Sequence, residues 1–291
     1  MTSPDWFNHA IAVPRSSRSI LIKGCNIHFD QWPSPGPDAP GLLFVHGNGA
    51  HSHWWDFIAP AFRNNFNVMA MDMSGAGDSG HRDHYSAVTF ASEIFEVCNQ
   101  LKSKCYVVGH SFGGGMTRIT GFLHGSELAG IVLVDSGISA NRGRREPPRP
   151  PRDTIRYYPT LADGMKRFRL RPPQPCANDY ILDYIAAHSL LATEQGYRFK
   201  LDQSLFAKMT EDEAIDLPDS VSMISRIPCP IGFIYGQQSR FFPPENIERL
   251  NQLIDPTLLA AIPDAHHHVF LDQPLAFIDS LAGILTQLEH N

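Results

Sequence analysis

Five short apolar runs constrain this chain more than any other feature: GLLFVHG (41–47), FNVMAMDM (66–73), KCYVVGH (104–110), AGIVLVDS (129–136) and PIGFIYG (230–236). Each is continuous and stops at or beside a Gly, His, Asp or Ser. A strand with one wet face alternates polar and apolar residues, so an unbroken run fits a strand covered on both faces, as in a parallel sheet. Between the runs the period changes. Ala87, Ala91, Ile94, Phe95, Cys98 and Leu101 recur at helical spacing, and PENIERLNQL (244–253) and PLAFIDSLAGILTQL (274–288) are predicted helices that open at a proline, whose missing N–H costs nothing there. SILIKG and CNIHFDQW near the start are expected to pair antiparallel, with SPGPDAP as the turn that follows. Repeated β-then-α alternation predicts a doubly wound, mostly parallel α/β sheet.

A chain of 291 residues with 43% hydrophobic content buries a sizeable core. Its formal charge of −6 gives no reason to expect a nucleic-acid partner, and no apolar run reaches the ~18 residues of a membrane span. MTSPDWFNHAIAVPRSS carries neither a basic n-region nor an unbroken apolar h-region, so no signal peptide is expected. Cys25, Cys98, Cys105, Cys176 and Cys229 form neither a disulfide framework nor a CxxC pattern, and reduced thiols in a cytoplasmic protein are expected.

The alternation lapses between Ile138 and Pro218. This segment opens with NRGRREPPRPPRD and continues in helical stretches such as NDYILDYIAAHSLLA. It is expected to be a helical lid (138–218) inserted between two parts of the core (1–137 and 219–291). From Arg142 to Arg171 there are ten Lys or Arg against three Asp or Glu. These charges suit a solvated surface, or an electropositive rim that attracts anionic substrates.

VVGHSFGGG (107–115) places Ser111 within Gly109-His110-Ser111-Phe112-Gly113, directly after a predicted strand and before a helical pattern. In this G-x-S-x-G elbow the turn is too tight for side chains two residues either side of the serine, and the hydroxyl is held at a helix N-terminus.

With these stretches the chain resembles the α/β-hydrolase superfamily. HGNGAHSHWW (46–55) is similar to that family's His-Gly loop, MDMSGAGDSG (71–80) to its Asp-x-x-Gly-x-Gly-x-Ser loop through Asp72, Gly75, Gly77 and Ser79, and PDAHHHVFLDQP to its terminal histidine-bearing segment. The resemblance implies an eight-stranded α/β-hydrolase fold with Ser111 as nucleophile. It also implies an oxyanion hole from the backbone N–H groups of Asn48 and Phe112, and a substrate pocket at His46, Gly47, Trp54 and His110.

Three histidines stand together at 266–268. The register of Pro263 and Gln273-Pro274 with the family segment puts His267 at the catalytic base, with His266 where a glycine is usual. Imidazole has the pKa such proton exchange needs. No metal is expected, because adjacent side chains on a short loop diverge while zinc ligands are usually separated, as in H-E-x-x-H. His266 and His268 are expected at the pocket edge or in solvent.

The acid is less direct. The family usually carries it as Gly-x-x-Asp after the seventh strand, and here that position reads Gly236-Gln237-Gln238-Ser239. Asp135, closing the sixth-strand run IVLVDS, is the first candidate, since some α/β-hydrolases place the acid there. Glu245, at a predicted helix start, is second, and a dyad supported by water is third. No cofactor is expected.

A serine nucleophile disfavours the carboxylate-nucleophile chemistry of dehalogenases and epoxide hydrolases. Hydrolysis of a small-molecule ester through an acyl-enzyme is the leading expectation. Cleavage of a carbon–carbon bond in a diketone-type acid is second, and a non-catalytic ligand-binding protein on the same scaffold is the alternative from another class. Phe168, Tyr180, Tyr184, Leu190 and Phe206, with Trp54 and Trp55, suggest either an apolar pocket or ordinary core.

Overall fold

The computed structural model describes residues 3–36, 38–139, 155–210 and 215–290. Each of the five apolar runs is a strand of the main sheet. In chain order the elements are α1 (Asp5–Ile11), β1 (Ser16–Ile22), β2 (Cys25–Trp32), β3 (Gly41–Val45), β4 (Asn67–Met71), α2 (Ala87–Cys98), β5 (Cys105–His110), α3 (Ser111–His124) and β6 (Gly130–Val134). Then come α4 (Leu161–Met165), α5 (Asp179–His188), β7 (Leu190–Thr193), β8 (Gly196–Phe199), α6 (Ser220–Ile224), β9 (Ile231–Gly236), α7 (Pro244–Leu253), β10 (Leu259–Ile262), α8 (Val269–Asp272) and α9 (Pro274–Leu288).

Eight strands form one sheet in the order β1-β2-β4-β3-β5-β6-β9-β10. The expected antiparallel entry is present: β1 pairs with β2, and β2 with β4, antiparallel, while β4, β3, β5, β6, β9 and β10 are parallel. Every residue of β3, β5, β6 and β9 is buried, as unbroken apolar runs require. The chain goes from β3 to β4 on one side and returns to β5 on the other, so the order reverses between β3 and β5. Above the carboxyl ends of strands at such a switch point there is a crevice.

Helices cover the faces with stripes of matching period. On α9, Phe277, Leu281, Ile284, Leu285 and Leu288 turn inward. On α2 the buried stripe is Phe90, Ala91, Ile94, Val97 and Cys98, one position round from the sequence expectation, which missed Phe90 and Val97. The Ser86 hydroxyl caps α2 by accepting the Thr89 N–H at 3.1 Å. Trp55 packs at a tilt against Phe44 at 4.9 Å and Phe270 at 4.3 Å. This joins the loop after β3 to the segment after β10.

Between β6 and β9 the chain leaves the sheet. Among the described residues this segment carries the helices α4 and α5 and a two-stranded antiparallel hairpin, β7–β8, that the sequence pattern does not predict. The helical stretch around NDYILDYIAAHSLLA ends at His188, and Leu190 and Leu191 belong to the hairpin. Its residues are mostly half-exposed and carry no long apolar run, so its pattern is that of neither helix nor buried strand. Gly196 turns the hairpin with φ of 109°, a left-handed value that a side chain would oppose. The basic stretch 141–153 lies outside the described residues. Among those described, no helix is long and apolar enough to cross a membrane, and all five cysteines are free.

Candidate active site

The serine-bearing turn joins β5 to α3. Ser111 has φ of 54°, a left-handed conformation unusual for a residue with a side chain. The turn is held by close approach on both sides. A Cβ at Gly109 would strike the Thr117 hydroxyl, and one at Gly113 would strike the His46 carbonyl. The hydroxyl of Ser111 thereby stands at the N-terminus of the 14-residue α3, beyond the carboxyl edge of the sheet.

His267 Nε2 lies 2.8 Å from Ser111 Oγ, and its Nδ1 lies 2.7 Å from Asp135 Oδ1. Asp135 follows β6, with no exposure and φ of 42°. Its Oδ2 accepts the Gly236 N–H at 3.0 Å, and its Oδ1 also accepts the Ser239 hydroxyl at 2.7 Å. Burial pushes the Asp135 carboxyl above its ordinary pKa, an effect that the contacts with His267 and Ser239 only partly offset. Glu245 sits in the first turn of α7, where it complements the helix dipole.

Ser239 occupies the position where an acid was sought. Its hydroxyl donates instead to the carboxylate that follows β6, a contact that the sequence does not reveal. Phe241, whose N–H donates to Ser239 Oγ at 3.2 Å, packs its ring 4.5 Å from that of His267. The signal for both was local: a small hydroxyl residue where a carboxylate was expected, two residues before an aromatic.

The histidine triplet separates into three environments. His266 turns away, with its N–H and Nδ1 on Asp272 Oδ2 at 2.7 and 3.1 Å. His267 meets Ser111 and Asp135. His268 is buried rather than in solvent, its ring 4.9 Å from His267 and 5.3 Å from His110. The expected divergence of neighbouring side chains therefore describes His266 but not the pair His267 and His268, which the bend before α8 keeps together (φ −88°, ψ 68° at His268).

A narrow cleft of about 10 Å³ is lined by His46, Gly47, Asn48, Met73, Leu205 and Phe112, the residue after Ser111, among others. Asn48 and Phe112, the expected oxyanion donors, thus face one space. Of the other expected pocket residues, His46 and Gly47 line the cleft, whereas Trp54 and His110 do not and instead pack beside His268 at 5.4 and 5.3 Å. His46 also braces the rim: its ring accepts the Met73 N–H at 3.0 Å and donates to the Gly47 carbonyl at 2.8 Å. Leu201 and Leu205, from the inserted segment, and Phe90, from α2, close the cleft and were missed in sequence. Of the aromatics singled out there, Tyr184 bonds Asp56 at 2.6 Å and Tyr180 packs on Phe7, both away from the cleft, while Phe206 covers Phe112 at 5.7 Å.

The Asp-x-x-Gly-x-Gly-x-Ser loop is scaffolding. Buried Asp72 accepts the N–H groups of Ser52 and Asp78 at 2.6 and 2.9 Å and pairs with His28 Nδ1 at 2.8 Å. Burial opposes its ionisation, but the hydrogen bond and charge of His28 outweigh burial and hold its pKa well below the carboxylate range. Burial likewise lowers the His28 pKa, yet Asp72 more than compensates and raises it.

A hydroxyl within hydrogen-bond reach of an imidazole whose far nitrogen rests on a buried carboxylate is an arrangement that can form a nucleophile at neutral pH. Residues 42–280 match the alpha/beta hydrolase family model. The chain is 24% identical over 276 residues to an sn-1-specific diacylglycerol lipase of Danio rerio, covering 89% of this chain and 82% of the relative. It is 22% identical over 267 residues to a pimeloyl-[acyl-carrier protein] methyl ester esterase of Klebsiella pneumoniae, covering 88% and 98%. The solved structure of an E-2-(acetamidomethylene)succinate hydrolase superposes with a TM-score of 0.75 at 16% identity, covering 94% of this chain and 100% of that one.

Proposed function

Because the chain belongs to the alpha/beta hydrolase family, we propose that it is a serine hydrolase that cleaves small-molecule carboxylic esters through an acyl-enzyme. The observation that carries this reading is the unbroken relay from Asp135 through His267 to Ser111, with contacts of 2.7 and 2.8 Å. Ser111 attacks the ester carbonyl while His267 Nε2 takes its proton, and Asp135 stabilises the imidazolium. The N–H groups of Asn48 and Phe112 receive the oxyanion, each such donor being worth about 3–4 kcal/mol to the transition state. His267 then protonates the leaving alcohol, and water drawn into its place hydrolyses the acyl-enzyme by the same route. The ester-cleaving relatives support the same chemistry.

The cleft favours an apolar acyl group. Met73, Ala76, Phe90, Phe112, Leu201 and Leu205 line it, and among the described residues no Lys or Arg does. That composition argues for ester cleavage over the carbon–carbon alternative, whose diketone-type acid brings a carboxylate. Leu201 and Leu205 of the inserted segment form part of the cleft wall. On this reading the inserted segment that carries Leu201 and Leu205 acts as a lid.

Incubation with a fluorophosphonate probe, followed by assay on p-nitrophenyl esters of graded chain length, tests the proposal. Labelling at Ser111 with multiple turnover of short to medium esters is expected. Labelling without turnover would favour the binding-protein alternative, and turnover surviving in Ser111→Ala would refute the mechanism.

A further inference from the structure

His267 also belongs to a cluster whose other two members ester hydrolysis does not use. His110, His267 and His268 are all buried, and each offers one ring nitrogen within 4.8 Å of those of the other two. The hydrogen bonds define the lone pairs. His110 Nε2 donates to the His267 carbonyl at 3.0 Å, so its Nδ1 is unprotonated, and that atom is buried with no partner. His268 Nε2 donates to the Pro172 carbonyl at 3.3 Å, and its Nδ1 is likewise buried with no partner. His267 Nδ1 is committed to Asp135, which leaves the Nε2 lone pair turned to Ser111. Two of the three acceptors thus carry an unmet desolvation cost of about 1–3 kcal/mol each.

We propose that His110, His267 and His268 form a binding site for a divalent transition-metal ion of the zinc type, and that its occupation switches the hydrolase off. Three neutral imidazoles suit such ions, and a solvent molecule would supply the fourth ligand. A Cβ on Gly47 would lie 2.8 Å from His110 Nδ1 and 3.2 Å from Ser111 Cβ, so the free nitrogen of His110 and the serine border the same glycine. Zinc–nitrogen bonds of about 2.0–2.1 Å set tetrahedral ligands roughly 3.4 Å apart. The ligand atoms, within 4.8 Å of one another, must therefore draw together on binding, with the Nε2 contacts of His110 and His268 kept as their outer supports.

The inhibitory consequence rests on the proposed hydrolase mechanism. A metal held by His267 Nε2 occupies the lone pair that must receive the Ser111 proton, with no change in oxidation state and no covalent product. The binding site itself stands apart from that mechanism, and the experiment separates the two.

Zn²⁺ is titrated into the wild-type protein and the His268→Phe, His268→Gln and His266→Ala variants by calorimetry, with Co²⁺ absorption reporting coordination and circular dichroism the fold. One equivalent of Zn²⁺ with micromolar or tighter affinity is expected for wild type, with the intense visible bands of four-coordinate Co²⁺. Both His268 variants should bind at least ten-fold more weakly, and His266→Ala as wild type. Absence of binding at tens of micromolar Zn²⁺, affinity unchanged in both folded His268 variants, or affinity lost in His266→Ala overturns the site. In the ester assay, inhibition should follow the calorimetric occupancy. Stoichiometric binding with undiminished turnover would overturn the capture of His267. A protein that binds Zn²⁺ as described but hydrolyses no ester would retain the site and remove only the function proposed above.

Discussion

Replacing Asp135 by Asn probes the relay with almost no change in shape, and the outcome follows from three hydrogen bonds. Asp135 Oδ2 accepts the Gly236 N–H, while Oδ1 accepts from Ser239 and faces His267 Nδ1. In the variant, the amide oxygen must stay on Gly236, which turns the NH₂ group toward His267. An NH₂ donor there needs an acceptor, so Nδ1 loses its proton and Nε2 carries it instead. His267 can then no longer take the proton of Ser111. The opposite amide orientation restores the tautomer but sets the NH₂ group against the Gly236 N–H, two buried donors face to face, at a cost of about 1–3 kcal/mol. Loss of the carboxylate charge about 4 Å from the developing imidazolium removes about 4 kcal/mol more at an effective dielectric of 20. Together these reduce kcat/KM by on the order of 10⁴–10⁵, at about 1.4 kcal/mol per tenfold, in line with the loss known for such a change in a serine protease. Stability should not fall with activity. The native Asp135 pKa is raised by burial, so its ionised form at neutral pH costs stability that the neutral amide does not. The assay is kcat/KM on a p-nitrophenyl ester beside thermal unfolding. More than a tenth of wild-type activity in a folded Asp135→Asn protein would refute the reasoning.

Four further outcomes are expected. Ser111→Ala and Ser111→Gly both lose more than a thousand-fold in turnover, but Ser111→Gly is the more stable by about 1 kcal/mol because φ of 54° no longer strains a side chain, which scanning calorimetry reads. Ser239→Ala removes one of the donors to Asp135 and lowers kcat by roughly 10–100-fold, from a hydrogen bond to a charged group of about 1.5–3 kcal/mol; a loss equal to that of Asp135→Asn would mean Ser239 does more than orient. Leu205→Ala widens the cleft and shifts the preferred ester toward longer acyl chains, seen as a rise in relative kcat/KM across the graded series; an unchanged order would remove Leu205 from the pocket wall. For the buried His28–Asp72 pair, the raised His28 pKa gives stability that is full below its unfolded value of about 6.5 and lost as pH rises through the folded value, while the depressed Asp72 pKa gives stability lost as pH falls below about 4. His28→Gln should therefore destabilise the protein more at pH 5.5 than at pH 8.5 in urea unfolding, and an equal loss at both would deny the charge coupling.

Much of this site is written in the chain itself, because its constraints are local. Unbroken apolar runs decide that β3, β5, β6 and β9 are buried on both faces, and the glycines around Ser111 decide that a tight turn follows β5, since each requirement is met within a few residues. The prolines at 244 and 274 mark the starts of α7 and α9 for the same reason. His267 was legible only through its register with a known terminal segment, and Asp135 only as the first of several candidates. Long-range assembly decided the rest. The pairing of β6 with β9 brings Gly236 and Ser239 onto Asp135, contacts that span 101 and 104 residues and leave no periodic trace. The hairpin β7–β8 escaped notice because half-exposed strands of four residues carry no hydrophobic period. The convergence of His110 with His267 and His268, across 157 residues, depends on β5 and the segment after β10 reaching one end of the sheet together. A sequence states which groups are present and what their neighbours permit, but whether two lone pairs meet is settled by packing, since only the folded sheet fixes distances between residues far apart in the chain.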